Sequence, residues 1–241
     1  FAGRSMLVRY LSVDYLGVNG LLSNIFNVLS VTELGIGTAM LYGMYKPVAD
    51  QDEQKTLEDF TGALDTGVQF AAYGAATRVM VKDQVDFASC DAQVLVVDTE
   101  TRHLPPEKAY QIVEELTRAA CRAGIRYIYE KTDSALRGNI GAELAAVLQA
   151  SNNRQLPFLP ALPQNGRTTR DGIHYVDGVP VTESPFGVDP FGPVRHARIT
   201  ELLAEQTDVP AVSCPPLHEG SPVPEKAGIL VFDATDEQDL V

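Results

Sequence analysis

The chain has 241 residues, 45% hydrophobic and 21% charged, and 19 Lys and Arg stand against 32 Asp and Glu for a net charge of -13. Those proportions exclude a disordered or fibrous chain, and the acidic balance argues against nucleic acid or an anionic membrane surface as the main partner. Cys90, Cys121 and Cys214 are far apart and form no C-x-x-C pair, so neither a zinc site nor a disulfide framework is expected, and a reducing, cytoplasmic setting is.

The charge is unevenly spread. Residues 1–55 carry four Lys or Arg and five Asp or Glu, net -1, which leaves -12 for residues 56–241. No charge occurs from Tyr15 to Thr32, and a second uncharged run, rich in Gly and Met, follows from Leu34 to Tyr45. Asn19, Asn24 and Asn27 interrupt the first run, so a hydrophobic helical hairpin is expected, membrane-spanning only with its polar side chains against other helices. The stretch YLGVNGLLSNIFNVLSVTELGIGTAMLYGMYKPVADQDEQK resembles the N-terminal membrane region of polysaccharide (O-antigen type) flippases. That resemblance implies membrane association through residues 1–55 alone. No secretory signal is read, and Phe1 in place of Met is expected to mark a start inside a longer reading frame.

From Thr56 onward the pattern becomes α/β. Ala76 to Val81 and Ala92 to Val97 are short, β-branched apolar runs of the kind buried in parallel sheets. Pro105 and Pro106 open a helix from Glu107 to Arg122, with Ala109, Ile112, Val113, Leu116 and Ala120 at helical spacing and Gly124 as the stop. Ile125 to Tyr129 is expected as the next strand, Asn139 to Ala150 as an Ala/Leu-rich helix and Leu156 to Ala161 as a further strand. Asp177-Gly178 sits between two β-type runs and predicts a hairpin over Ile173 to Val181. Arg195 to Glu205 follows as a helix and Gly228 to Asp233 as a last buried strand. This alternation predicts a three-layer parallel-sheet α/β domain, Rossmann-like, with right-handed crossovers. The chain ends eight residues after Asp233, where a further helix is expected, so a cut C-terminus is expected too.

Four polar clusters stand out: Glu58 to Thr66, Asp98 to Arg102, Lys131 to Asn139 and Gly166 to Thr169. Three fall where a strand gives way to a loop or helix, or just beyond, which is the ligand-binding edge of an open parallel sheet. Arg102, Arg137 and Arg167 have the forked chemistry for a carboxylate, while Asp59, Asp98, Asp133 and Asn139 can take sugar hydroxyls. Most of them also have a local explanation. Asp59 fits a helix N-cap, Asp98-Thr99 and Asp133-Ser134 fit strand-end turns, and Arg137 and Arg167 fit solvated positions. His103, His174, His196 and His218 have no metal spacing and read as structural.

The segments DFTGALDTGVQFA (59–71), VVDTETRHLPPEKAY (96–110), YEKTDSALRGNIGAELAAVL (129–148), LPALPQNGRTTRDGIHYVDGVPV (159–181) and SPFGVDPFGPV (184–194) resemble the N-terminal, substrate-binding domain of the four-carbon acid sugar kinase family. The resemblance covers about three quarters of the chain. It implies an ATP-dependent kinase of threonate, erythronate or a related 3-oxo acid, with ATP and Mg²⁺ supplied by a separate C-terminal nucleotide-binding half. It implies that Asp59 orients the acceptor hydroxyl and that Asp133, Arg137 and Asn139, with Arg167 of the GRTT loop, surround the substrate. Asp98, Arg102, Lys131 and Ser134 of the strand-end clusters are expected beside them, with Arg137 and Arg167 on the carboxylate.

Family members begin with an apolar strand ending in Ala-Asp-Asp before the Thr-Gly pair. Here Gln54 to Glu58 stands in its place, too polar for a buried strand, so the first strand is expected to be missing. The two resemblances meet at residues 55/56, giving expected parts of 1–55 and 56–241 in a chimeric chain or a real fusion. With no G-x-x-x-x-G-K-[ST] loop in the sequence, binding without turnover is expected of this chain alone.

Overall fold

A computed structural model describes residues 53–190, 192–218 and 224–240, with the backbone alone for 53–60. The hydrophobic hairpin expected over residues 1–55 lies outside the described residues but for its last three. Among those described, no helix is long and apolar enough to cross a membrane.

The first element is a helix, α1 (Glu53–Ala72). Gln, Lys, Leu and Glu are good helix formers, and they carry the helix back through Asp59, which therefore lies inside it and is no N-cap. The expected 55/56 boundary falls in the first turn of α1. Two parallel strands follow, β1 (Thr77–Val81) and β2 (Val94–Asp98), paired from Thr77 opposite Val94 to Val81 opposite Asp98. Gly67 lets α1 lie on them, since a Cβ there would come 2.9 Å from the Val79 side chain.

Helix α2 (Pro106–Arg122) starts on the expected prolines and has Glu107 in its first turn and Arg122 in its last, both favourable to the helix dipole. It buries Ala109, Val113, Thr117 and Ala120 along one stripe. Helix α3 (Ile140–Ala150) is buried at ten of its eleven residues, as a helix apolar on all sides should be. It packs on α2, on β3 (Gln155–Phe158) and on β8 (Gly228–Phe232). Parallel strands β3, β8 and β7 (Ala211–Cys214) form a sheet in that order, and every residue of the central strand β8 is buried. Short helix α4 (Ile199–Ala204) closes this core with Ile199, Leu202 and Leu203.

The antiparallel unit is β4 (Arg167–Arg170), β5 (Ile173–Val176) and β6 (Val179–Pro180). Asp177-Gly178 makes the expected tight turn, with φ of 51° and 83°, both positive as a type I′ hairpin requires. Asp171-Gly172, with φ of 53° and 72°, makes the same turn between β4 and β5.

The parallel α/β class is as expected, with three departures. The strand expected at Ile125 to Tyr129 does not form. Ile125 N–H closes α2 on the Ala120 carbonyl at 3.0 Å, the next five residues enter no ladder, and the parallel strands stand as two sheets. The helix expected from Arg195 starts at Ile199, because His174 N–H takes the Ala197 carbonyl at 2.8 Å and Arg198 bridges Ile173. Strands β4 and β7 had no expected counterpart.

Candidate functional site

The carboxyl end of β2, the loop after it and the loop from Lys131 to Asn139 meet at one end of a cavity of about 640 Å³. Six of the residues singled out in the sequence line it: Asp98, Arg102, Lys131, Asp133, Arg137 and Asn139. The centre of this cluster is Asp133. Its Oδ2 accepts from the Ala135 N–H at 3.1 Å, the Arg137 N–H at 3.2 Å and Arg137 Nε at 3.1 Å, while Oδ1 accepts from Arg137 Nη2 at 2.9 Å. Arg102 Nη2 stands 3.9 Å from the same Oδ1.

This pattern follows from the local sequence. Leu136 sits at φ 63° with its side chain buried, and Gly138 at φ 93°, a double reversal that folds Arg137 back onto the residue four before it. Gly138 also lets Arg102 approach, because a Cβ there would be 3.0 Å from Arg102 Cγ. Burial pushes the Asp133 carboxyl up, but the hydrogen bonds and charge of Arg137, with Arg102 beside it, outweigh that and hold it below the usual carboxylate range.

Asn139 is buried and gives Nδ2 to the carbonyls of Thr101 and Leu104, both at 2.8 Å. It ties the β2 loop to the start of α3. Asp98 is buried at the end of β2 and accepts the Glu100 N–H at 3.1 Å, and Glu100 adopts φ 53° and pairs with Lys82. Lys131 reaches α1: a Cβ on Gly62 would be 3.1 Å from its Nζ. The Asp59 backbone lies one turn earlier in α1.

Arg167 and Ser134 do not line this cavity. Arg167 begins β4, stacks over the Phe186 ring at 5.7 Å, pairs with Asp177 at 3.7 Å and bonds the Asn165 carbonyl. Its buried Nε has no hydrogen-bond partner among the described residues. Arg137 lies over the same ring at 5.1 Å, so Phe186 joins the two arginines. Ser134 enters through its backbone, whose carbonyl faces His174 Nε2 at 2.9 Å.

Sequence reasoning passed over Asp189, Phe186 and Glu143, which shape this region, and read His174 as structural. Asp189 lies 3.6 Å from Arg137 Nη1, and Phe186 carries both arginines; both belong to the SPFGVDPFGPV stretch, whose matched pattern was the available signal. Glu143 is buried on α3, and burial together with the Glu143 charge pushes the Glu130 carboxyl up to about 8. His174, fully buried, places Nδ1 3.2 Å from Thr169 Oγ1. Burial lowers its pKa, so it is the neutral ring, Nε2–H donating to Ser134 and Nδ1 accepting from Thr169.

Among the described residues no group of three or more His, Cys, Asp or Glu side chains fits a metal ion.

Residues 58–241 match the family model described as a sugar-binding N-terminal domain. A D-threonate kinase of Salmonella typhimurium is 38% identical over 193 residues, covering 76% of this chain and 45% of that protein. A D-erythronate kinase of Heliobacterium modesticaldum is 29% identical over 197 residues, with 76% and 45% covered. A crystal structure from Bordetella bronchiseptica, determined with bound citrate as a domain-swapped dimer, superposes with a TM-score of 0.63 at 32% identity and covers 75% of this chain and 46% of that one. The chain thus spans about half the length of the relatives it matches. These comparisons give a flippase fragment no support.

Proposed function

The chain belongs, through residues 58–241, to the family of sugar-binding N-terminal domains, and on that premise we propose that it holds a four-carbon sugar acid for ATP-dependent phosphorylation of one hydroxyl. The observation that carries this reading is the convergence of Arg102, Lys131 and Arg137 on the polar end of one cavity, inside a domain that is otherwise strongly acidic. A local cationic cluster of this kind attracts a small carboxylate that the overall charge would repel. The citrate in the Bordetella relative is a ligand of the same carboxylate class.

Each residue then has a physical part. Arg137 meets the substrate carboxylate, held in one orientation because Asp133 fixes two of its nitrogens. Arg102 and Lys131 add charge, and Asp98 stands at the strand end for a sugar hydroxyl. Asp59 is assigned the acceptor hydroxyl, Ser134 and Asn139 hold the substrate loop, and Arg167 supports Arg137 through Phe186. Phosphoryl transfer needs chiefly such positioning of the acceptor. ATP and Mg²⁺ are assigned, as the family resemblance implies, to the portion of the relatives this chain does not span. We place the sugar-acid domain over residues 56–241, in the cytoplasm, where three free cysteines are at home.

Calorimetric titration of the folded chain with D-threonate and D-erythronate tests this reading. Saturable heat with at least one, weakened tenfold or more in Arg137→Ala, is the expected result. No heat with either, from protein that melts cooperatively, overturns it.

A further inference from the structure

The carboxyl ends of β1 and β2 stand side by side, Val81 opposite Asp98, and the residues just beyond them form a charged pair. Lys82 follows β1 directly, Glu100 comes two residues after β2, and Lys82 Nζ pairs with Glu100 Oε2. Glu100 is part of the cavity wall, two residues from Arg102. The two side chains are 21% and 34% exposed, so the pair is half-buried, with ligand access to Glu100. This residue is held there at a cost. Its φ of 53° lies in the left-handed region that residues other than Gly rarely adopt, and the Asp98 carboxylate secures it by accepting its N–H at 3.1 Å. Glycine would take that backbone without strain. A strained residue that keeps a charged side chain on a cavity wall points to function.

The other carboxylates of that wall have different roles. Asp133 is held by Arg137 and by two backbone N–H groups, Asp98 and Glu143 are buried, and Glu130 is favoured as the neutral acid. We propose that Glu100, braced by Lys82, is a specificity-determining residue: it accepts a hydrogen bond from the uncharged hydroxymethyl end of the sugar acid and rejects ligands that carry a second carboxylate there. The inference rests on the sugar-acid reading of the site and names the substrate class within it, monocarboxylic polyhydroxy acids. With one carboxylate on Arg137, the other end of a four-carbon chain is directed along the strand ends toward Glu100. A carboxylate there accepts from a hydroxyl and repels a group of its own charge. Neutralising Glu100 inverts the preference. Lys82 then loses its partner in a half-buried position, and a second ligand carboxylate replaces it.

The test titrates the whole chain and its Glu100→Gln variant with D-threonate and D-erythronate, and with D-tartrate and meso-tartrate, which keep the same inner carbons and carry a carboxylate in place of the hydroxymethyl group. The wild type should prefer the monocarboxylate of each pair by about tenfold or more. In Glu100→Gln the tartrates should gain about tenfold while the sugar acid weakens about threefold. Adding Lys82→Gln to that variant should abolish the tartrate gain. Glu100→Gly, which removes the strain together with the carboxylate, should keep or raise Tm and show the same change of preference, so the outcome does not hang on one variant folding. An unchanged ratio of tartrate to sugar-acid affinity in these variants, or a gain that survives Lys82→Gln, overturns the assignment. A wild type that binds neither sugar acid overturns the reading of the site instead. The rejection of a second carboxylate is then decided by the tartrates alone: Glu100→Gln must bind them about tenfold more tightly than the wild type, and equal or absent binding overturns it.

Discussion

Arg137 forks onto Asp133 through Nε and Nη2, at 3.1 and 2.9 Å, although the two residues are four apart in a loop and not on a helix. The carboxylate thereby fixes the guanidinium plane and leaves Nη1 directed toward Asp189 at 3.6 Å. Asp133 is a positioning residue for the cation expected to hold substrate.

Asp133→Asn should therefore weaken sugar-acid binding about tenfold and lower stability by about 2–3 kcal/mol, the scale for breaking a largely buried charged pair. Its folded pKa is depressed, so its contribution is present above the unfolded carboxylate pKa and is lost as the pH falls through the folded one. Acid unfolding of wild type and Asp133→Asn should converge at the acid end. Curves that stay parallel down to pH 2 would remove this role.

Glu130 has the opposite sign. Its pKa is raised from 4.5 to about 8 by burial and by Glu143, so the fold favours the protonated acid. Its contribution is full below pH 4.5 and is lost as the pH rises toward 8. Glu130→Gln should flatten that decline, gaining about 1–3 kcal/mol at pH 8 and little at pH 4.5. Urea unfolding at the two pH values measures the difference.

His174→Phe removes a fully buried ring that joins the Ser134 carbonyl to Thr169. Leaving both groups without a partner should cost about 2–4 kcal/mol, and the Asp133 loop should lose order, seen as faster amide exchange at Ala135 and Arg137. His174 keeps a depressed pKa in the fold, so wild-type stability should fall as the pH drops below about 6.5. That slope should be absent from the variant, and a variant that retains it would assign the slope elsewhere.

The parallel strands, α2 and α3 were legible because local pattern and final environment agree there. Val94 to Asp98 is β-branched and Gly228 to Phe232 wholly apolar, and each became a parallel strand. Ile125 to Tyr129 carries the same pattern and failed, because a strand also needs a neighbour in register, which composition does not encode. Strand β4, Arg167–Arg170, was hidden by its charges. Its signal was the second Asp-Gly pair, Asp171-Gly172, whose amides are held by Asp233 at 2.8 and 3.0 Å. At the site, one-dimensional spacing found the charged residues but not their pairing. Asp133 looked like a turn former and Arg137 a free cation until two positive φ angles brought them together.

The same holds for Arg167, expected on the substrate carboxylate: it does not line the cavity, and it stacks on the Phe186 ring that Arg137 also meets. Cation–π contacts of this sort are worth about 0.5–2 kcal/mol each according to their exposure, and Phe186 makes two, at 5.1 and 5.7 Å. Phe186→Leu keeps an apolar group of similar bulk while deleting the ring's negative face. Stability should fall by about 1–2 kcal/mol, and sugar-acid affinity should fall three- to tenfold because Arg137 loses its platform while keeping Asp133. A double-mutant cycle with Arg167→Met separates the two routes. If Arg167 acts through the ring, its substitution should add little to the Phe186→Leu loss. If it touches the ligand directly, the two affinity losses should add in full.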